Sequence, residues 1–394
     1  MLNFIKMPKY IDKPIQISIY FLIIFGIFMI TSATQGIQAD SITALINTII
    51  KQLIFTISGY IAMIIISRIF NFKLLNSLSS SIITITIVTL LLTLLFPEVS
   101  GAKAWIRFTI AQTEVTIQPS EIAKLSIILI ISDKLGNIKT NYFSEKELLK
   151  IPLTFITTCI FIVFFLQKDF GTTFIILIIS CCCLMCATSK SISKFRYKLF
   201  FLILISICLS IIIISPIGTS ILEQLAPNHY QARRFLIAAN PFKYMYDWGH
   251  QLIQSLIAIS RGGLFGVGYG QSLLKYGTFP AADTDFIIAV VIEELGIVLG
   301  FLPIIIAYTI IVSKLILYAI KIPHIQSKII LIGIATYYLS HFTLNIGGAT
   351  ALLPLTGIPL LLISSGGTSA TTALIAIGLA QNIISKYRQG QYKT

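Results

Sequence analysis

At 394 residues the chain is long enough for two or three soluble domains, but 56% of its residues are hydrophobic and only 11% are charged. With a mean hydropathy of +0.90, that balance excludes a water-soluble fold and leaves a polytopic membrane protein. The formal charge of +14 does not signal nucleic acid, because the basic residues follow alternate loops and form no single patch.

Apolar runs near the ~20 residues that cross ~30 Å of hydrocarbon recur from end to end. Ten helical spans are predicted in an all-α transmembrane domain covering 1–394: residues 15–34, 52–69, 78–96, 119–132, 151–166, 172–187, 199–214, 286–311, 329–344 and 368–384. The first is read as an uncleaved anchor or, with Ser32-Ala33-Thr34 as a weak cleavage site, as a signal peptide. Basic residues flank alternate connections: Lys6, Lys9 and Lys13; Arg68 and Lys73; Lys134, Lys139, Lys146 and Lys150; Lys190, Lys194, Arg196 and Lys198; Lys314, Lys321 and Lys328; Lys386, Arg388 and Lys393. The positive-inside rule therefore places both termini in the cytoplasm, the segment 217–284 outside, and Asp285 at the outer end of the eighth span.

Three stretches interrupt the spans. Residues 97–118 mix Trp105 with Lys103 and Arg107, as an interfacial segment does. The large loop 217–284 is too long for a helix connection, and its aromatic residues argue for order. Residues 345–368 are apolar but broken by Gly and Pro, and they include Ser364 and Ser365. Non-helical backbone at membrane depth must be buried in protein or line a wet cavity, so a re-entrant loop is expected there.

Candidate chemistry gathers at the junction Thr284-Asp285-Phe286-Ile287. Asp283 or Thr284 would cap the eighth helix, and the helix dipole would help keep Asp285 ionised in its first turn. Asp285 is then either a helix-end stabiliser or a proton acceptor. Glu293 and Glu294 stand roughly 12 to 14 Å deeper at 1.5 Å per residue, too far to act with Asp285 as an acid and base pair. At least one is expected to pair with a cation or polar group in the bundle.

Glu121 and Lys124 in Gln118-Pro119-Ser120-Glu121 share a helix face, either as an ion pair or with Lys124 on a phosphate that Glu121 orients. Asp169 is read as the cap of the sixth helix. The glycines of 262–270 permit tight turns and could expose amides to an anion, and Arg233, Arg234, Lys243, Arg261 and Lys275 bring charge to the same loop. The cysteines, Cys208 among them, lie in predicted spans and read as packing residues, and His229, His250, His324 and His341 receive no catalytic role.

In this order the motifs resemble the SEDS family (shape, elongation, division and sporulation), with FtsW and RodA among its members. The matching pieces are Gly101-Ala102 with Trp105-Ile106, Gln118 to Glu121 with Lys124, Asp169-Phe170-Gly171-Thr172, 254–270, Thr284 to Ile287 with Glu293-Glu294-Leu295-Gly296, Asn345-Ile346-Gly347, and 353–369. Lys168 departs from the family's common Pro, Ser365 from its usual aromatic and Ala104 from a frequent Arg, for which Arg107, one helical turn on, is a candidate substitute. Residues 240–252 look closer to FtsW than to RodA.

The resemblance implies a peptidoglycan glycosyltransferase that polymerises lipid II at the outer face of the bacterial cytoplasmic membrane, for septal or elongation wall synthesis. Asp285 would be the essential catalytic acid residue. Lys124, Arg107, Arg233 and Arg234, in falling order, are candidates for the substrate pyrophosphate, with Glu121, Trp105, Ser364 and Ser365 as further candidate contacts. No metal-ligand cluster appears, so a divalent cation (Mg or Mn) would ride on the pyrophosphate. The implied partners are a class B penicillin-binding protein transpeptidase and other division or elongation proteins. A lipid II flippase and a noncatalytic scaffold are the rival readings.

Overall fold

The computed structural model describes residues 7–37, 42–99, 101–110, 113–136, 144–187, 192–226, 230–276 and 282–391. Lys6, Lys139, Lys190, His229 and Lys393, and the side chain of Cys208, lie outside the described residues. Each predicted span falls on helix: α1 (Lys13–Ile37), α2 (Ile42–Ile69), α3 (Phe72–Leu92), α4 (Pro119–Gly136), α5 (Glu145–Phe161), α6 (Phe170–Cys186) and α7 (Ser193–Ile214), then, beyond the large loop, α11 (Ile287–Gly296) continued by α12 (Leu302–Lys321), α13 (Ile325–Ala349) and α14 (Gly367–Arg388). Among the described residues seven helical stretches are long and apolar enough to cross a bilayer, and the 17-residue α6 is a shorter apolar helix. α13 and α14 are the most enclosed of these. One hydrophobic cluster runs from α1 to α14.

Local chemistry sets several helix starts. Pro119 opens α4 at the position where a missing N–H costs nothing. Ser144 and Glu147 close a reciprocal capping box on α5. Asp169 caps α6 by accepting from the Thr172 amide at 3.0 Å, as its sequence position suggested. Lys168 before it has φ 58°, a left-handed value that the proline common here in the family cannot adopt.

Residues 97–118 hold a feature the sequence reading did not anticipate, an antiparallel hairpin of β1 (Ile106–Ile110) and β2 (Thr113–Ile117). Burial alternates along the approach to it: Ala104 and Ile106 turn inward at 0% and 5% exposure, whereas Trp105 and Arg107 are half-buried on the other side. Arg107 is therefore not one helical turn from Ala104. In extended chain an odd offset reverses the face, so it does not stand in for the charge that Ala104 lacks.

The large loop is ordered by α8 (Pro216–Leu225), α9 (Tyr230–Ala239) and α10 (His250–Gly262). Ala226, Ala232 and Leu236 form a small core there with Leu222, Tyr244 and Trp248. Its glycine stretch lies main chain to main chain against α11. Val267 and Gly268 donate to the carbonyls of Glu293 and Glu294 at 2.9 and 3.0 Å, so these amides are not offered to an anion. Gly266 (φ 79°) and Gly296 (φ 73°) meet there, and a Cβ on either would overlap the opposing backbone. That crossing breaks the eighth span at Gly296, before a π-turn (Ile297–Phe301) leads into α12.

Both acids of α11 are paired, as the cost of intramembrane charge requires. Glu293 accepts from Arg261 at 3.0 Å and from the Ser272 hydroxyl. Glu294 accepts from Lys275 and from Ser32, each at 2.8 Å, with both charged side chains 0% exposed. The stretch 345–368, expected to be a re-entrant loop, is shorter than that: α13 continues through Ala349 and α14 opens at Gly367, and between them the chain 350–366 is non-helical with Leu360 to Ile363 buried.

Candidate active site

The turn before α11 is held by its main chain. Ser365 N–H donates to the Asp283 carbonyl at 2.8 Å, the Ser364 hydroxyl to the Thr284 carbonyl at 2.7 Å, and the Asn345 amide to the Asp285 carbonyl at 3.0 Å. Three consecutive carbonyls are thus drawn toward α13 and the 350–366 loop. Phe286, 0% exposed, anchors the next position. This corrects the capping expectation: α11 starts at Ile287 with Phe286 before it and no side-chain cap, so neither Asp283 nor Thr284 caps it. Asp285 sits ahead of the first turn.

The Asp285 carboxylate faces Gly357. A Cβ built on Gly357, whose φ is 69°, would stand 3.6 Å from Asp285 Oδ2 and 3.9 Å from Arg234 Nη2, so the acid and the guanidinium converge on that glycine. Burial pushes the Asp285 carboxyl up to about 6, with Arg234 opposing the rise and Asp283 adding to it. Burial raises Asp283 as well, opposed by a backbone amide, Ser365 and Lys51. Desolvation thus outweighs the favourable field expected at a helix start. A carboxylate with a pKa near 6 is ionised at neutral pH yet basic enough to take up a proton.

Other motifs border the same end of the bundle. The Gln118 side chain donates to Asp169 at 3.1 Å, and the Gln118 backbone N–H donates to the hydroxyl of Thr368 in the first turn of α14. Gly171 packs so close to Thr356 that a Cβ would strike the Thr356 carbonyl. Thr356 adjoins Gly357, which links the start of α6 to the Asp285 turn.

Lys124 and Glu121 lie in a sealed network. Lys124 Nζ is 2.6 Å from Glu121 Oε1 and 2.9 Å from His341 Nε2, and both residues are 1% exposed. Tyr337 donates to the second Glu121 oxygen at 3.0 Å. His341 Nδ1 is 3.0 Å from the Pro359 carbonyl, which can only accept, so Nδ1 carries the proton and Nε2 accepts from Lys124. The ion-pair reading of Glu121 and Lys124 is the one this geometry fits. Arg233 stacks on Trp248 at 4.3 Å and donates to the Ala226 carbonyl. Arg234, last in the sequence order, is the cation beside Asp285. Ser364 spends its hydroxyl on the turn itself.

Sequence reasoning passed over Tyr337, gave His341 no role and named Asn345 only within a motif. Their i, i+4, i+8 spacing makes one polar stripe on α13, a visible signal in an otherwise apolar span.

The protein-family model FTSW_RODA_SPOVE, described as "Cell cycle protein", matches residues 14–389. The chain belongs to this family. Among its FtsW/RodA/SpoVE relatives, the Bacillus subtilis protein named "Probable peptidoglycan glycosyltransferase FtsW" is 31% identical over 393 residues, covering 98% of this chain and 94% of that protein. Stage V sporulation protein E of the same organism is 31% identical over 337 residues, 86% of each. The fold is shared with Thermus thermophilus RodA, with a TM-score of 0.63, 19% identity and coverage of 96% of this chain and 98% of that one. It is also shared, at a TM-score of 0.72, 19% identity and coverage of 97% and 99%, with a structure described as "Structural coordination of polymerization and crosslinking by a peptidoglycan synthase complex".

Proposed function

We propose that this chain is a peptidoglycan glycosyltransferase that polymerises lipid II at the outer face of the bacterial cytoplasmic membrane, with both termini inside. The observation that carries this reading is the convergence of Asp285 and Arg234 on Gly357, at the mouth of a helix broken within the bilayer segment. Asp285 takes the proton from the acceptor's GlcNAc 4-hydroxyl as that oxygen bonds to the donor's anomeric carbon. The bond from that carbon to the pyrophosphate breaks, and the electron pair leaves with the lipid pyrophosphate. A positioned base and a cation near the departing charge are what such a displacement needs.

Arg234 is the first candidate for the pyrophosphate, and Arg107 and Trp105 on the hairpin are candidates for the rest of the headgroup. Lys124 and Glu121 support the site from beneath through His341 and Pro359. No three His, Cys, Asp or Glu side chains converge among the described residues, so we place any divalent cation on the substrate. Similarity to proteins named FtsW favours septal synthesis, and the polymerised strand calls for a class B penicillin-binding protein to crosslink it.

A carrier would need an intramembrane charge free to bind cargo or a coupling ion. Glu293 and Glu294 are instead neutralised by Arg261 and Lys275. Purified protein incubated with labelled lipid II and its cognate transpeptidase is expected to yield glycan chains. Headgroup translocation across vesicles with no polymer would overturn the proposal in favour of a flippase.

A further inference from the structure

The side-chain amide of Asn345 spends both of its N–H groups on main-chain carbonyls from separate parts of the site. It donates to the Asp285 carbonyl at 3.0 Å and to the Ile358 carbonyl at 2.8 Å. Both partners only accept, which fixes the amide nitrogen toward them. Asp285 belongs to the turn before α11. Ile358 follows Gly357, the residue that the Asp285 carboxylate and the Arg234 guanidinium both face. One side chain, 3% exposed, therefore staples the backbone that carries the acid to the backbone the acid faces. His341, one helical turn earlier, holds Pro359 in the same loop.

We propose that Asn345 is a positioning residue for the glycosyl transfer, fixing Asp285 against the Gly357 turn so that its carboxylate stays desolvated and in line with the acceptor hydroxyl. It touches no reacting atom and acts through Asp285. The inference rests on Asp285 being the base. Ser364 and Ser365 still hold the two preceding carbonyls without the staple, but the Asp285 carbonyl is released from Ile358, water reaches the carboxylate there, and the burial that raises Asp285 is relieved. The charged groups facing Asp285 are Arg234 from α9 and Asp283 from its own turn, Asp283 in turn feeling Lys51 of α2. None of them belongs to α13, so replacing Asn345 removes no charge.

The matched control is Asn382 on α14, also 3% exposed, which donates to the Ser67 carbonyl at 2.8 Å. Asn345→Ala and Asn382→Ala each delete a buried amide that satisfies main-chain carbonyl. Both are expected to lower the thermal midpoint of the purified protein. Only Asn345→Ala is expected to lower kcat for lipid II polymerisation, by roughly ten- to a hundredfold as misplaced catalytic groups do, with KM within about twofold. Only it should move the acidic limb of the pH–rate profile down from about 6 toward the ordinary carboxylate value of 3.8.

An Asn345→Ala limb coincident with wild type would overturn the proposal. So would a kcat loss no greater than that of Asn382→Ala. If Asn345→Ala does not fold, Asn345→Leu keeps the bulk, loses the donors, adds no charge and carries the same expected outcomes. A wild-type profile with no limb near 6 would instead refute Asp285 as the base, and the positioning role with it.

Discussion

Asp285→Asn is expected to reduce the rate of glycan formation by about two to four orders of magnitude, the range a general base supplies, while the folded yield is unchanged or slightly higher. The amide keeps the shape of the carboxylate but cannot take the proton. The stability side follows from the direction of the shift. The folded pKa of about 6 lies above the ordinary value of 3.8, so the native protein holds a proton that the unfolded chain has released. Its stability therefore falls as pH rises from about 4 to about 6 and stays at the lower level above that interval. A neutral side chain removes this cost, the usual trade between stability and activity at a working site. Polymer formation at wild-type rate by Asp285→Asn would remove the residue from the mechanism.

The second large effect is expected at Lys275. Lys275 and Glu294 are both wholly buried, and Lys275→Ala would leave the carboxylate with Ser32 as its one hydrogen-bond partner among the described residues. Stranding one charge of such a pair costs about 3–5 kcal/mol in folded proteins. Most of the detergent-extracted protein should then be aggregated or protease-sensitive. Replacing both partners, Lys275→Met with Glu294→Leu, should restore the folded yield, because the penalty comes from the unpaired charge more than from the loss of the bridge. Wild-type yield and thermal midpoint for Lys275→Ala alone would show that Glu294 is stabilised by something other than Lys275.

These two residues also mark what the sequence discloses. Asp285 stood out as a candidate because a carboxylate at the edge of a long apolar run is expensive and visible in one dimension. The spans were legible for the same reason, since ~20 apolar residues have one reading in a chain this hydrophobic. The partners were not. Lys275 meets Ser32 across 243 positions and Lys124 meets His341 across 217, and spacing along the chain carries no trace of such pairings.

The capping expectation at Asp283 and Thr284 failed for a related reason. Local rules assume that a polar residue before a helix serves that helix, whereas here the turn is drawn aside by Asn345, Ser364 and Ser365. Lys124, named first among the cations for the pyrophosphate, is buried between Glu121 and His341. The hairpin was readable. Ile106, Phe108 and Ile110, then Val115 and Ile117, alternate with period two and are β-branched or aromatic. An emphasis on interfacial residues hid that alternation.

The central claim is that a desolvated carboxylate at residue 285 takes the proton in glycosyl transfer. Its most direct test is the initial rate of glycan chain formation by the wild-type protein at saturating lipid II across about pH 5 to 8. With a base titrating near 6, the rate should fall about tenfold between pH 7 and pH 5 along a single-proton limb. A rate that stays flat down to about pH 5 would contradict the account.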